Sequence, residues 1–266
     1  TMWQPNLRAV IEALEESEKI VVAAIQGVCL GGGLELAMGA HYRIAKADAQ
    51  LGLPEVKLGL LPGAGGTQRL PRAVGLEKAI EMVTNGSILK AKALADTDLV
   101  DRVVDDNLVA EAIKFAQELV AKNAELKQLR QLEVQSAGDA QALLQATRTK
   151  LAAANKFLPA PVACLDAVAG SVELPFEAGL KNERQLFLGL MNGAESQALR
   201  HIFAAERAAL KIPDVPADTP LREIKKVAVI GAGTMGTGIA MNFLNIGIPT
   251  VILEMKEEAL ERGVAT

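Results

Sequence analysis

Two glutamates and two glycine-rich stretches carry most of the chemistry available to this sequence. Glu35 stands two positions after the triplet Gly31-Gly32-Gly33, and Glu55 follows directly after Pro54. Glycines between a strand and a helix let backbone N–H groups approach a ligand closely, at the positive end of the helix dipole. Such amides can stabilise a carbonyl oxygen as it becomes an enolate. Two carboxylates converging on that enolate can divide acid and base work between them. Taken singly, each feature has a plainer reading: a bare triplet can be a tight turn, and a glutamate in a first helical turn can be an ordinary solvated charge.

The second stretch is Gly231-Ala232-Gly233-Thr234-Met235-Gly236, a G-x-G-x-x-G pattern. It follows the apolar run Val227 to Ile230 and opens a helical segment, Gly238 to Ile246. A further apolar run, Pro249 to Leu253, ends on Glu254. Strand, glycine loop, helix and acidic strand end are the context that dinucleotide binding requires. In it, Gly231 permits the turn, Gly233 admits the pyrophosphate, and Gly236 lets helix and strand pack. Glu254 would bind the adenosine ribose hydroxyls and repel a 2′-phosphate, which selects NAD over NADP, with Lys256 close enough to soften the choice.

The elements that must position these residues follow from patterning. Residues 19–30 are rich in Val and Ile and predict a buried strand running into the triplet; Leu34–Met38 starts a helix. Residues 42–53 predict a second strand and a short extended segment, and 61–71 a Gly- and Pro-studded loop. Helical patterns cover 77–83 and 90–95, and 99–104 is a strand candidate. Asn107 is placed to cap the next helix, whose apolar positions are Leu108, Ala112, Phe115, Leu119 and Leu126. A helix over 139–157 is broken by Pro159 and Pro161, and two more cover 176–191 and 194–211. Pro213, Pro216 and Pro220 mark a stiff linker. The expected division is 1–135, 136–221 and 222–266. Trp3 is expected in a helix.

Three ordered motifs change the weight of the glutamates. The stretch Ala24 to Ala37, with Gln26-Gly27-Val28-Cys29-Leu30-Gly31-Gly32-Gly33-Leu34-Glu35 at its centre, resembles the crotonase superfamily signature. So do Leu51-Gly52-Leu53-Pro54-Glu55-Val56-Lys57-Leu58-Gly59 and the segment from Leu61 to Arg72. The resemblance implies that Gly32 supplies an oxyanion N–H, that Glu35 and Glu55 are the catalytic pair, and that Gly63 lines the same pocket. Glu55 would handle the proton at the α-carbon and Glu35 the water at the β-carbon. The family's other oxyanion donor, and its contacts to the CoA adenine nucleotide, come from a segment ahead of the position of Thr1.

Lys226 to Ala240 likewise resembles the start of 3-hydroxyacyl-CoA dehydrogenases, whose catalytic His–Glu pair would lie beyond Thr266. The connector, with Lys181-Asn182-Glu183-Arg184 and Ala205-Glu206-Arg207, is similar to that of the multifunctional fatty-acid β-oxidation enzymes, which fuse hydratase and dehydrogenase. The implied fold is α/β: a partial crotonase ββα spiral, a helical connector, and the first βαβ unit of a Rossmann fold. The implied chemistry is hydration of trans-2-enoyl-CoA, then NAD-dependent oxidation. An isomerase-dominated crotonase and an inactive CoA- or partner-binding module are the alternatives. Both ends are expected to be truncations, and the chain alone is expected to lack turnover.

Composition sets the remaining bounds. A net charge of −4 argues against a general nucleic-acid binder. The longest strongly apolar stretch, Ile20 to Leu30, is too short to span a membrane. Two cysteines and two histidines provide no metal spacing. Cys29 reads as a small core residue, His41 as a packing or solvent residue, and His201 as part of a solvated face. The Ala-rich composition suggests a bacterial cytoplasm, with a peroxisome as the alternative. Expected partners are an acyl-CoA thioester and either a thiolase or a second copy of the chain.

Overall fold

The computed structural model describes residues 6–216 and 218–266, so the expectation for Trp3 lies outside the described residues. The chain forms two compact units, Thr1–Leu210 and Lys211–Thr266, and each is described by itself.

The first unit opens with helix α1 (Leu7–Glu15), capped by the Asn6 side chain on the Ala9 N–H. The expected strand over 19–30 is two strands, β1 (Val22–Ile25) and β2 (Val28–Leu30). Gly27 between them has φ +63°, a left-handed angle that turns the chain so each strand joins a different sheet. β1 pairs in parallel with β3 (Tyr42–Lys46), which pairs in parallel with β6 (Arg102–Val104). β2 pairs in parallel with β4 (Gln50–Gly52), Cys29 opposite Leu51, and β4 pairs antiparallel with β5 (Ile88–Lys90). Because these two sheets share no strand, β2 and β4 can end side by side and deliver the triplet and Pro54 to one place.

Between the strands stand α2 (Gly32–Met38), a 3-10 turn over Pro54–Leu58, α3 (Gly66–Val74) and α4 (Leu76–Thr84). Much of the predicted loop 61–71 is therefore helix, with Pro71 inside it. Its first amides are bonded by carboxylates from distant parts of the chain, which local patterning does not reveal. The helical pattern at 90–95 is realised as a 3-10 turn, Ala91–Leu94. Asn107 precedes α5 (Leu108–Ala121) in a left-handed conformation and makes no side-chain cap, and Leu126 lies beyond that helix.

Four helices complete the unit: α6 (Ala140–Ala154), α7 (Ala160–Glu173), α8 (Phe176–Met191) and α9 (Ala194–Ala209). Helix α7 was not expected, because Pro159 and Pro161 read as breakers. They occupy the cap and the first turn, where a missing N–H costs nothing. It is deeply buried: Ala160, Cys164, Leu165, Ala167 and Val168 are in the main core, packed on α3, α4, α6 and α8. Truncating Leu165 to Ala would cost about 2–5 kcal/mol.

Arg43 and His41 are buried polar residues of this unit that find partners. Arg43 is fully enclosed, its Nε on the Leu99 carbonyl at 2.9 Å and its guanidinium paired with Asp101. His41 is a packing residue: its Nδ1 accepts the Val21 N–H at 3.0 Å and its Nε2 faces the Glu15 carbonyl at 3.3 Å. His201 is exposed.

The second unit contains β7 (Val227–Ile230), α10 (Thr234–Asn245), β8 (Thr250–Leu253) and α11 (Glu257–Ala265). β7 and β8 are parallel, Val229 opposite Ile252, with α10 as the crossover.

Candidate active site

The triplet does its work at its first glycine. Gly31 caps α2 with φ +56°, and a Cβ there would lie 3.0 Å from Glu55 Oε1. A side chain at 31 would therefore strain the backbone and crowd Glu55. The β2–β4 pairing and this close approach bring the 3-10 turn, and Glu55 with it, against the start of α2.

Glu35 and Glu55 line one cavity of about 440 Å³, together with Leu7, Arg8, Leu61, Gly63, Ala64, Arg184 and Phe187. Glu35 is buried, and its Oε1 accepts the Ala64 N–H at 2.7 Å and the Gly66 N–H at 2.9 Å. Burial raises its pKa; the two amides and the Arg69 charge oppose that rise. Arg69 is held by a buried two-pronged pair with Glu15, at 3.0 and 2.7 Å. Glu55 is half-buried, and its Oε2 is enclosed with no hydrogen-bond partner. Burial, and then the charge of Glu35, push its carboxyl up to about 8. One carboxyl is thus served by amides, while the other holds its proton at neutral pH.

The predicted site residues fall in two cavities that share Glu55. Gly63 is with the two glutamates, where Phe187 packs so tightly that a Cβ on Gly63 would sit 2.7 Å from its ring. Gly32 lines a second cavity of about 760 Å³, bounded by Leu30, Gly31, Glu55 and Leu58, and by Leu199, Ile202 and Phe203 of α9. The helices expected to act only as a connector thus supply site walls.

The sequence reading also missed Glu183 as a site residue. It is buried on α8 and accepts the Gly65 N–H at 2.8 Å, the Thr67 N–H at 3.1 Å and the Thr67 hydroxyl at 2.6 Å. Burial and the Glu35 charge push its carboxyl up to about 8. The available signal was the spacing of Gly179, Glu183 and Phe187, which puts them on one helical face. Cys29 packs against the core, and burial raises its thiol pKa, which fits an inert residue.

A profile of the enoyl-CoA hydratase/isomerase family matches residues 1–157, more than half of the chain. The chain belongs to the enoyl-CoA hydratase/isomerase family. Residues 226–266 match the NAD-binding domain of 3-hydroxyacyl-CoA dehydrogenase. Over 261 residues the chain is 40% identical to the peroxisomal bifunctional enzyme of Cavia porcellus, covering 96% of this chain and 36% of that protein. A peroxisomal fatty acid beta-oxidation multifunctional protein of Oryza sativa subsp. japonica is 42% identical over 267 residues, covering 97% of this chain and 36% of the other. The chain thus spans a little over a third of these relatives' length. An enoyl-CoA hydratase from Mycobacterium avium subsp. paratuberculosis K-10 shares the fold, with a TM-score of 0.50 at 22% identity over 75% of this chain and 69% of that one.

In the second unit of this hydratase/isomerase family member, Gly231 has φ +100° and donates its N–H to the Leu253 carbonyl at 2.7 Å. A Cβ on Gly236 would fall on the Gly231 carbonyl oxygen, whereas one on Gly233 would meet open space. Glu254 accepts the Ala232 N–H at 2.8 Å and the Met255 N–H at 2.8 Å, and these bonds lower its pKa. A cavity of about 380 Å³ adjoins the start of α10, lined by Ala232, Gly233, Thr234, Thr237, Arg262 and Gly263, among others. Among the described residues no helix is long and apolar enough to cross a membrane, and no group of His, Cys, Asp and Glu gathers into a metal site.

Proposed function

We propose that the first unit hydrates trans-2-enoyl-CoA thioesters to 3-hydroxyacyl-CoA, with Glu35 and Glu55 as the catalytic pair. The observation that carries this reading is the contrast between two carboxyls on one cavity, Glu35 bonded by amides and Glu55 holding an enclosed, unpartnered oxygen. Glu35 accepts a proton from water as the water oxygen bonds to the β-carbon. The π electrons pass to the thioester oxygen, where the Gly32 N–H offers a donor. The enolate then collapses, taking the Glu55 proton onto the α-carbon. Water is consumed whole, and proton return from Glu35 to Glu55 resets the pair. The thioester sits beside Glu55, with Gly63 lining the same cavity and free volume on either side.

The second unit is proposed to bind NAD. The fit is physical: Gly231 and Gly236 close the turn, Gly233 leaves room for a pyrophosphate at the start of α10, and the ionised Glu254 suits ribose hydroxyls. The bound dinucleotide would supply hydride acceptance for oxidation of the 3-hydroxyacyl product. In this reading the division at 135/136 and 221/222 separates hydratase, connector and dehydrogenase segments. The names of the relatives favour a peroxisome over a bacterial cytoplasm. A thiolase, taking the 3-ketoacyl product, is the proposed partner.

The test is hydration of crotonyl-CoA by the full reading frame that encodes this chain. Turnover abolished by Glu55→Gln supports the reading. Absence of hydration by the unmutated protein overturns it.

A further inference from the structure

Four consecutive residues at the start of α3 donate their N–H groups alternately to two buried carboxylates. Ala64 and Gly66 donate to Glu35; Gly65 and Thr67 donate to Glu183. Both Glu35 bonds end on one oxygen, Oε1, so the turn sets the rotation of that carboxyl as well as its place. Three consecutive contacts of one face of α8 serve the same segment. Phe187 packs on Gly63, Glu183 holds the turn, and Gly179 leaves space for Gln68, whose side chain a Cβ at 179 would strike.

We propose that Glu183 is a positioning residue for Glu35: by taking the odd-numbered amides of the 64–67 turn, it presents the even-numbered ones to the catalytic carboxyl. This inference rests on the hydratase reading above. A neutral glutamine or serine could anchor a loop without placing a second acid group near Glu35. Two carboxyls at one helix N-terminus compete for its positive field, and the Glu35 charge disfavours ionisation of Glu183. The charged groups around the turn are Glu35 on α2, Glu55 on the 3-10 turn and Arg69 on α3, with Glu183 itself on α8. Glu183 thereby influences both where Glu35 points and the pH at which it works.

The decisive variant is Glu183→Gln, made in the full reading frame and assayed with crotonyl-CoA. Its amide keeps the Gly65 bond but sets a donor against Thr67. The expected result is a kcat lowered roughly tenfold or more, as for a misplaced base, with KM within about threefold. The pH profile of kcat should also move to higher pH, because displaced Ala64 and Gly66 amides no longer oppose the rise that burial gives the Glu35 pKa. A lowered Tm with unchanged kcat and profile would make Glu183 a structural anchor only and overturn the inference. Should Glu183→Gln fail to fold, Thr67→Val decides, since it removes the hydroxyl bond to Glu183, keeps the Thr67 N–H, and leaves Gln68 its bond to the Ala167 carbonyl. A kcat lowered about threefold, with the profile displaced the same way, supports the proposal; wild-type values overturn it. If the unmutated protein does not hydrate crotonyl-CoA, both this inference and the hydratase reading fall. If it does and the variants match it, only this inference falls.

Discussion

The two units use the same device in opposite environments. In each, a glutamate accepts backbone N–H groups from a glycine-containing turn that opens a helix: Glu35 from Ala64 and Gly66, Glu254 from Ala232. Glu254 is partly exposed, so its amide bonds dominate and its carboxyl ionises more readily than usual. Glu35 is buried, so desolvation outweighs the same kind of bonds and its pKa rises. The local geometry is shared; water access decides the protonation chemistry. A binding acid needs its charge, while a working pair needs one proton kept between two carboxyls.

The sharpest way to break this comparison is to neutralise the buried pair. In the full reading frame, Glu55→Gln and Glu35→Gln should each lower hydratase kcat by roughly 10²–10⁴ with little change in KM. Steady-state hydration of crotonyl-CoA checks this. Activity within a factor of two of wild type in either variant removes that residue from the pair. Loss with Glu55→Gln alone, and retained double-bond isomerisation in Glu35→Gln, would favour the isomerase alternative.

The glycines of the second unit come next in size. Gly236→Ala drives a methyl into the Gly231 carbonyl and should destabilise this unit by about 1–3 kcal/mol, measurable as faster amide exchange over 226–266. Gly233→Ala meets no protein atom and should leave exchange unchanged while weakening NAD binding about tenfold, measured by calorimetry. Equal effects on exchange would show that Gly233 serves packing rather than phosphate.

Glu254→Ala should narrow the preference for NAD over NADP by weakening the first and relieving repulsion of the second. Since Glu254 also holds the Ala232 amide, NAD should lose more than NADP gains. An unchanged ratio of the two dissociation constants would show that Glu254 does not bind the ribose.

The effects of pH on stability oppose each other in sign. Glu55 ionises at about 8 when folded and near 4.5 when unfolded, so the unfolded chain loses its proton first and stability falls across that window. Glu55→Gln removes this loss. Its Tm should therefore gain on wild type progressively as pH rises from 4.5 to 8. Glu254 is the reverse: its folded pKa is depressed, so its contribution is present above 4.5 and disappears as pH falls through the folded value. Glu254→Gln should slightly lower stability at neutral pH and converge on wild type in acid. Thermal melts across pH check both signs.

How much of this was legible depended on the range of each interaction. Glu35, Glu55 and the G-x-G-x-x-G loop stand in contiguous motifs, and the strands and helices around them carry ordinary periodicity. Glu183 reads in the sequence only as part of a connector, because its hydrogen-bond partners are 116 and 118 residues away. For the same reason α3 read as a loop, since its amides are bonded by Glu35 and Glu183 rather than by a local cap. Helix α7 was lost to Pro159 and Pro161, where the position of proline in the first turn mattered more than its presence. The turn at Gly27 divided one expected strand into two.

The central claim is that Glu55 carries a proton at neutral pH, ready for the α-carbon, while Glu254 does not. Titrating the carboxyl carbons of ¹³C-labelled glutamate by NMR, assigned with Glu55→Gln and Glu254→Gln, measures both at once. The account predicts that Glu55 titrates near 8 and Glu254 below 4.5. A Glu55 carboxyl that titrates at or below 4.5 would contradict it, leaving the pair without its acid.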